Sequence, residues 1–185
     1  MAVDGGERAK PVGKTRLLLE EARWALVALA VILLVLASLG ARPRPLLVWN
    51  VSESAPRGLY FVGGKRSLAR GDMVVARVPS GLRLFAARRG YLPMNVPLVK
   101  RVVAVAGDVV CASGSRVTVN GQRVAARVDV DGGGRPMPWW SGCVHLVEGD
   151  AFLLMEHSPA SFDGRYFGVT PASEVIGEAV LLWRR

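Results

Sequence analysis

The chain has 185 residues, a net charge of +9 and a hydrophobic fraction of 51%. This length accommodates one compact domain together with a short membrane segment. The basic residues are not interleaved with aromatic residues and form no known nucleic-acid-binding motif, so we expect no nucleic-acid partner. The few histidines and cysteines lack the clustered spacing of metal ligands, so we expect no metal and no cofactor.

An apolar run near the N-terminus predicts one membrane anchor. Residues 24–41 are uncharged throughout and reach the length that crosses a bilayer, about 17 to 25 residues. We expect residues 1–23 to form a cytoplasmic N-terminal tail. One alternative is a buried core helix, but a soluble domain rarely carries so uniformly apolar a helix with no polar face. Another is a cleaved secretory signal, but the long charged leader is unusual for one. Basic residues on both sides of the run favour a cytoplasmic N-terminus only weakly.

The remainder of the chain, residues 42–185, has the pattern of a β-rich extracytoplasmic domain. Short apolar, β-branched segments alternate with turn residues, as in residues 59–62, 73–78 and 98–104. The Asn120-Gly121 pair predicts a hairpin, because both residues suit a type I′ turn. Residues 82–91 are the one candidate for a short helix. We therefore predict a mainly β fold, an all-β domain preceded by one transmembrane helix.

The two cysteines, Cys111 and Cys143, both follow the anchor. If that side of the membrane is oxidising, an even pair of cysteines favours a disulfide, which would stabilise the domain by about 3 to 4 kcal/mol. The alternative is a pair of buried free thiols, and the sequence does not supply the geometry that would decide between them.

Residues 49–60, WNVSESAPRGLY, carry the first candidate nucleophile. Pro56 fixes its own φ angle and disfavours helix at Ala55, so Ser52 and Ser54 lie on stiff, non-helical backbone. A serine hydroxyl needs a base to take its proton before it attacks. The segment therefore becomes a candidate active site only if a base lies near it.

Lys100 is the candidate base. It lies within LVKRVVAVAGDVV, residues 98–110, and burial among such apolar neighbours would lower its pKa because desolvation disfavours the ammonium form. On a strand, Lys100 would share a face with Leu98 and Val102, while Arg101 points the other way. The alternative is a surface lysine on an edge strand, where lysine discourages aggregation.

A Ser/His/Asp triad is a further alternative. Ser54, His157 and Asp163 could converge in space, since triads are defined by geometry and not by chain order. Nothing in their spacing supports that geometry over coincidence.

Three segments in one order give the chain its resemblance to a known family. They are SESAPRGLY at residues 52–60, LVKRVVAVAGDVV at residues 98–110, and SFDGRYFGVTPASEVIGEAVLLW at residues 161–183. The chain resembles the membrane-bound signal peptidases of serine peptidase family S26, which use a Ser/Lys dyad. Within that superfamily it is most similar to the TraF-type peptidases of conjugative transfer.

The resemblance implies a signal-peptidase-like fold and a role for each matched residue. Ser54 would be the nucleophile and Lys100 the general base, with the Ser52 hydroxyl and the Ser54 N–H stabilising the oxyanion. By match, the supporting residues are Ser161, Asp163 and Arg165. An aspartate and an arginine two apart on a strand would share a face and pair. Gly164 stands where the family usually has a serine.

The resemblance also implies a function and a location. The chain would be a serine endopeptidase that processes a membrane-inserted precursor, the prepilin of a conjugative transfer system, by cutting or by cyclisation. It would be a single-pass protein of the bacterial inner membrane with a periplasmic catalytic domain and would act beside the conjugation machinery. The alternatives are a general type I signal peptidase that cuts preproteins and a non-catalytic anchored scaffold of a secretion machine.

Overall fold

The computed structural model of the chain describes residues 14–40, 44–64 and 67–185. They belong to two compact units, and the boundary along the chain falls between Arg44 and Pro45. The first contains helix α1, Lys14–Gly40, in which Glu20–Ser38 is long and apolar enough to cross a membrane. Residues 1–13 of the predicted tail lie outside the described residues, whereas residues 14–23 are helical.

Within the described part of the chain, the second unit contains ten β-strands and two short helices. The strands are β1 (Leu47–Asn50), β2 (Gly58–Val62), β3 (Met73–Ala76), β4 (Leu98–Ala104), β5 (Val109–Ser113), β6 (Arg116–Val119), β7 (Gln122–Ala126), β8 (Gly142–His145), β9 (Phe152–Leu154) and β10 (Val175–Arg184). The helices are α2 (Ser80–Arg88) and α3 (Gly164–Phe167). The predicted mainly β fold is confirmed. The helix predicted over residues 82–91 is present but begins and ends earlier in the chain.

The strands form two antiparallel sheets. The larger sheet has the order β1-β2-β10-β3-β4-β9, and the smaller has the order β7-β6-β5-β8. The predicted hairpin is confirmed between β6 and β7, where Asn120 and Gly121 have φ angles of 50° and 81°. A disulfide joins Cys111 in β5 to Cys143 in β8, which face each other across the smaller sheet.

Three clusters of buried apolar residues hold this unit together. One packs residues of β5 and β6 against Phe152 and Leu154 of β9, and so joins the two sheets. Another contains Leu98 and Val102 of β4. The third packs Ala55, next to Ser54, against Val99 of β4. The residues flanking Ser54 and Lys100 thus belong to packed clusters, which fix the backbone that carries both side chains.

Candidate active site

Ser54 lies in the turn between β1 and β2, and Asn50 sets the shape of this turn. The Asn50 side-chain nitrogen donates to the carbonyl oxygens of Ser52 at 3.0 Å, Ala55 at 3.1 Å and Pro56 at 3.0 Å. Its side-chain oxygen accepts the Ser52 N–H at 3.1 Å. A single buried amide therefore bonds to four backbone groups of the turn.

The far end of the turn is fixed by Tyr60 and Gly58. The Tyr60 hydroxyl donates to the Pro56 carbonyl oxygen at 2.8 Å. Gly58 has a φ angle of +151°, and a Cβ atom there would lie 1.9 Å from the Trp183 carbonyl oxygen. Only glycine therefore allows β10 to approach this closely beside the turn.

Lys100 on β4 reaches Ser54 across a separation of 46 residues in sequence. Its Nζ atom lies 2.7 Å from Ser54 Oγ and 2.8 Å from Ser161 Oγ. Only 5% of Lys100 is exposed, whereas the next residue, Arg101, points outward and is exposed. Lys100 is therefore not a surface lysine of an edge strand, and β4 lies between β3 and β9 in its sheet.

Burial lowers the pKa of Lys100 from its ordinary value of 10.5 to about 8. The Asp163 carboxylate opposes this shift because it favours the ammonium form, and Arg165 reinforces it. Desolvation dominates because the amine has lost most of its contact with water. A substantial fraction of Lys100 is consequently neutral near pH 8 and able to accept a proton.

Asp163 and Arg165 form a buried ion pair next to this amine. The Arg165 guanidinium donates to the two Asp163 carboxylate oxygens at 2.9 and 3.0 Å. Arg165 is 2% exposed and Asp163 is 0% exposed. Arg165 also donates to the carbonyl oxygens of Met155 and Ser158 at 2.7 and 2.8 Å. The pair thus holds the loop that carries Ser161. The expectation of a strand was wrong here, because Asp163 caps the short helix α3.

Ser52 lies on the exposed side of the turn, beside Ser54. The two hydroxyl oxygens are 2.9 Å apart, and the Ser54 N–H donates to Ser52 Oγ at 3.3 Å. If another oxygen atom took the place of Ser52 Oγ as the acceptor of the Ser54 N–H, the Ser52 hydroxyl could turn and donate to the same atom. Such a pair of donors is what an oxyanion requires.

The comparison with protein families bears directly on this geometry. The family model described as "Signal peptidase, peptidase S26" matches residues 19–184. The chain belongs to the signal peptidase S26 family. The resemblance inferred from the three segments is confirmed.

Relatives of this S26 chain include conjugation proteins. It is 40% identical to a "Probable conjugal transfer protein TraF" of Sinorhizobium fredii, over 70% of this chain and 73% of that protein. It is 33% identical to a "Plasmid transfer protein TraF" of Escherichia coli, over 72% of this chain and 82% of that protein. The crystal structure of a signal peptidase I from Enterococcus faecalis aligns with 18% identity and a TM-score of 0.36, covering 62% of this chain and 98% of the other.

The family resemblance predicts a serine at position 164, where this S26 chain has a glycine. A Cβ atom at Gly164 would lie 2.6 Å from the ring of Phe152 and 2.7 Å from the Leu153 carbonyl oxygen. The Gly164 carbonyl oxygen accepts the indole N–H of Trp140 at 3.1 Å. The position is therefore filled by neighbouring atoms and has no space for a serine side chain.

The structure brings Ser52, Ser54, Lys100 and Ser161 together, with the Asp163–Arg165 pair behind them. Sequence reasoning missed Asn50 as an organiser of the site, although Asn50 lies in the segment, residues 49–60, that carries the candidate nucleophile. A signal was present, because an asparagine two residues before a serine is suited to local bonds with the backbone.

The structure does not assemble the alternative triad. A cleft of about 450 Å³ is lined by Ser54 and His157 among others. Asp163, however, is fully buried and bonds to Arg165 and to the Met155 N–H, and its described bonds include none to His157. Among the residues that the structure describes, Asp163 is therefore not the carboxylate that would orient His157 as the base.

Proposed function

We propose that this S26 family member is a membrane-anchored serine endopeptidase in which Ser54 is the nucleophile and Lys100 the general base. The observation that carries the proposal is the 2.7 Å distance between Lys100 Nζ and Ser54 Oγ, made by a lysine that is 5% exposed. A buried amine at this distance can lose its charge and take the serine proton directly.

The proposed reaction begins with proton transfer from the Ser54 hydroxyl to neutral Lys100. Ser54 Oγ then attacks the carbonyl carbon of the scissile peptide bond and forms a tetrahedral intermediate. The Lys100 ammonium returns the proton to the nitrogen of the leaving peptide, which departs as an amine. An acyl-enzyme ester on Ser54 remains. Ser161, which accepts a hydrogen bond from Lys100 at 2.8 Å, keeps Nζ directed at the nucleophile during both transfers.

The negative oxygen of the intermediate would be stabilised by the Ser54 N–H and the Ser52 hydroxyl. In the free protein the Ser54 N–H donates to Ser52 Oγ. The oxyanion therefore replaces Ser52 Oγ as the acceptor, and the Ser52 hydroxyl turns to donate to it. Deacylation repeats the chemistry with water. Lys100 takes a proton from the water molecule as its oxygen attacks the ester carbon, and the Lys100 ammonium then returns the proton to Ser54 Oγ as the ester bond breaks and the carboxylic acid product leaves.

The proposed substrate is the prepilin of a conjugative transfer system. The support comes from two relatives, a conjugal transfer protein and a plasmid transfer protein, which are 40% and 33% identical to this chain. The helix stretch Glu20–Ser38 would be the anchor in the inner membrane, with the catalytic unit on the periplasmic side. If an amine of the substrate attacked the acyl-enzyme in place of water, the product would be cyclic, and the same two residues would serve.

A second candidate is general removal of leader peptides. The name of the family model, signal peptidase, favours it. The two candidates share the dyad and differ only in the precursor that reaches the cleft.

Co-expression with candidate precursors tests the proposal. A prepilin and a secreted preprotein are each co-expressed with the full chain, with Ser54→Ala and with Lys100→Ala, and the products are identified by intact mass. We expect the wild-type chain to convert the prepilin while both variants leave it intact. A cyclic product is lighter than the linear cut product by one water molecule. Processing by Ser54→Ala would overturn the assignment of the nucleophile, and processing of the preprotein alone would favour the second candidate.

A further inference from the structure

The cleft beside Ser54 has a charged wall that the proposed chemistry does not use. The charged and titratable residues that line it are Glu53, Arg57, His157, Arg184 and Arg185. The dyad needs none of these side chains, because Lys100 approaches Ser54 from the buried side. The arginines therefore require a separate explanation.

The backbone places the end of β10 beside the nucleophile turn. Arg184 pairs with Gly58 in the sheet register, and the Arg185 N–H donates to the Arg57 carbonyl oxygen at 3.0 Å. The absent side chain of Gly58 makes this approach sterically possible. Arg184 thus lies on hydrogen-bonded β-sheet backbone beside the turn that carries Ser54.

Two of the three arginines of this wall, Arg57 and Arg184, differ in their partners. Arg57 Nη2 lies 2.6 Å from the Glu53 carboxylate, so its charge is already matched. Arg184 has no carboxylate within ion-pair distance among the residues that the structure describes. The positive charge of Arg184 nevertheless acts on Tyr60, which bonds to the turn. Burial raises the pKa of Tyr60, and the charge of Arg184 opposes that rise. An unmatched guanidinium at the edge of a cleft is a suitable donor for a planar carboxylate.

We infer that Arg184 forms a carboxylate subsite of the cleft and selects substrates that carry an acidic group close to the scissile bond. This inference rests on the proposed peptidase function and adds a substrate class to it. The carboxylate can be an Asp or Glu side chain within a few residues of the bond, or the terminal carboxylate of a short leaving peptide. Both present the same two oxygens to the guanidinium.

The test uses peptides built around whichever bond the full-length protein cuts. One series moves a single Glu across the positions on either side of that bond, and a matched series carries Gln. A second pair differs only in a free or amidated C-terminus. The readout is the ratio of kcat/KM for each acid to that of its neutral partner, so effects common to both peptides cancel. The two pairs distinguish a side-chain carboxylate from a terminal one.

We expect at least one acidic peptide to be preferred by about fivefold to tenfold, as for a charge-assisted hydrogen bond in a partly exposed site. Arg184→Gln should bring that ratio close to one, and Arg184→Lys should retain part of it. The matched control is Arg116→Gln, which removes the same charge from an exposed position on β6 and should keep the wild-type ratio. Added salt should reduce the preference, because exposed charges are screened.

Failure of the carboxylate subsite can be distinguished from failure of the proposed peptidase function. Cleavage of acidic and neutral peptides with equal kcat/KM at every position overturns the carboxylate subsite and leaves the peptidase intact. A preference that survives Arg184→Gln assigns the subsite to another residue and also overturns the inference. If the wild-type protein cuts no bond in any precursor, the proposed function fails and the subsite fails with it.

Discussion

The dependence of catalysis on pH follows from the buried amine. Burial lowers the pKa of Lys100 to about 8 from 10.5. At pH 7 a group with that pKa is neutral in about one molecule in eleven, whereas the ordinary pKa would leave about one in three thousand neutral. Burial therefore raises the reactive fraction at neutral pH by about 300-fold. Since only neutral Lys100 accepts a proton, kcat/KM should rise about tenfold per pH unit below pH 7 and level off above pH 9.

The assay is the pH profile of kcat/KM for a cleaved peptide between pH 5 and 10, with far-UV circular dichroism at each pH as the control for folding. The midpoint of the rise should lie near the pKa of about 8 that burial gives Lys100. A profile that is flat or highest at acid pH would refute a lysine base. A midpoint near 10.5 would show that the amine is not desolvated in the working enzyme.

Three substitutions extend the account. Lys100→Met should abolish activity yet raise the free energy of unfolding at pH 7 by about 2 to 3 kcal/mol, because the unfolded chain binds the Lys100 proton more tightly than the folded one. Urea denaturation should show that this gain in stability shrinks as the pH rises from about 8 towards 10.5. No gain at pH 7 would contradict the pKa shift. Ser52→Ala should lower kcat about 100-fold or more without abolishing it, as for loss of one oxyanion donor, and an unchanged kcat would remove Ser52 from that role. Gly164→Ser should destabilise the fold by about 1 to 3 kcal/mol through overpacking against Phe152. The control Gly81→Ala should not destabilise it, because a Cβ atom at Gly81 meets no atom within 4 Å. Equal unfolding midpoints for the two variants would contradict the packing argument.

The sequence pattern singled out Ser54 and Lys100 because each lies in a segment with a clear local preference. Pro56 makes the Ser54 segment non-helical, and the β-branched run around Lys100 predicts a strand. The pattern could not show that the two atoms meet, since this depends on sheet pairing between segments 46 residues apart in sequence. Convergence of this kind is a tertiary property that no local preference encodes.

Other features escaped prediction for different physical reasons. Helix α3 has only four residues, Gly164–Phe167, which is too short for a helical period to appear. The backbone bonds of Asn50 are local, but they depend on how the turn folds over that side chain. The absence of a serine at Gly164 becomes intelligible only when the ring of Phe152 is seen to occupy its place.

The site of acylation is the most direct test of the central claim. Wild-type protein, Lys100→Ala and the matched control Arg101→Ala are mixed with a cleavable peptide, quenched in acid within a turnover, and mapped by mass spectrometry. The account predicts an acyl group on Ser54 in the wild-type protein and in Arg101→Ala, and no acyl group in Lys100→Ala. An acyl group on another residue, or acylation of Ser54 at the wild-type rate in Lys100→Ala, would contradict it.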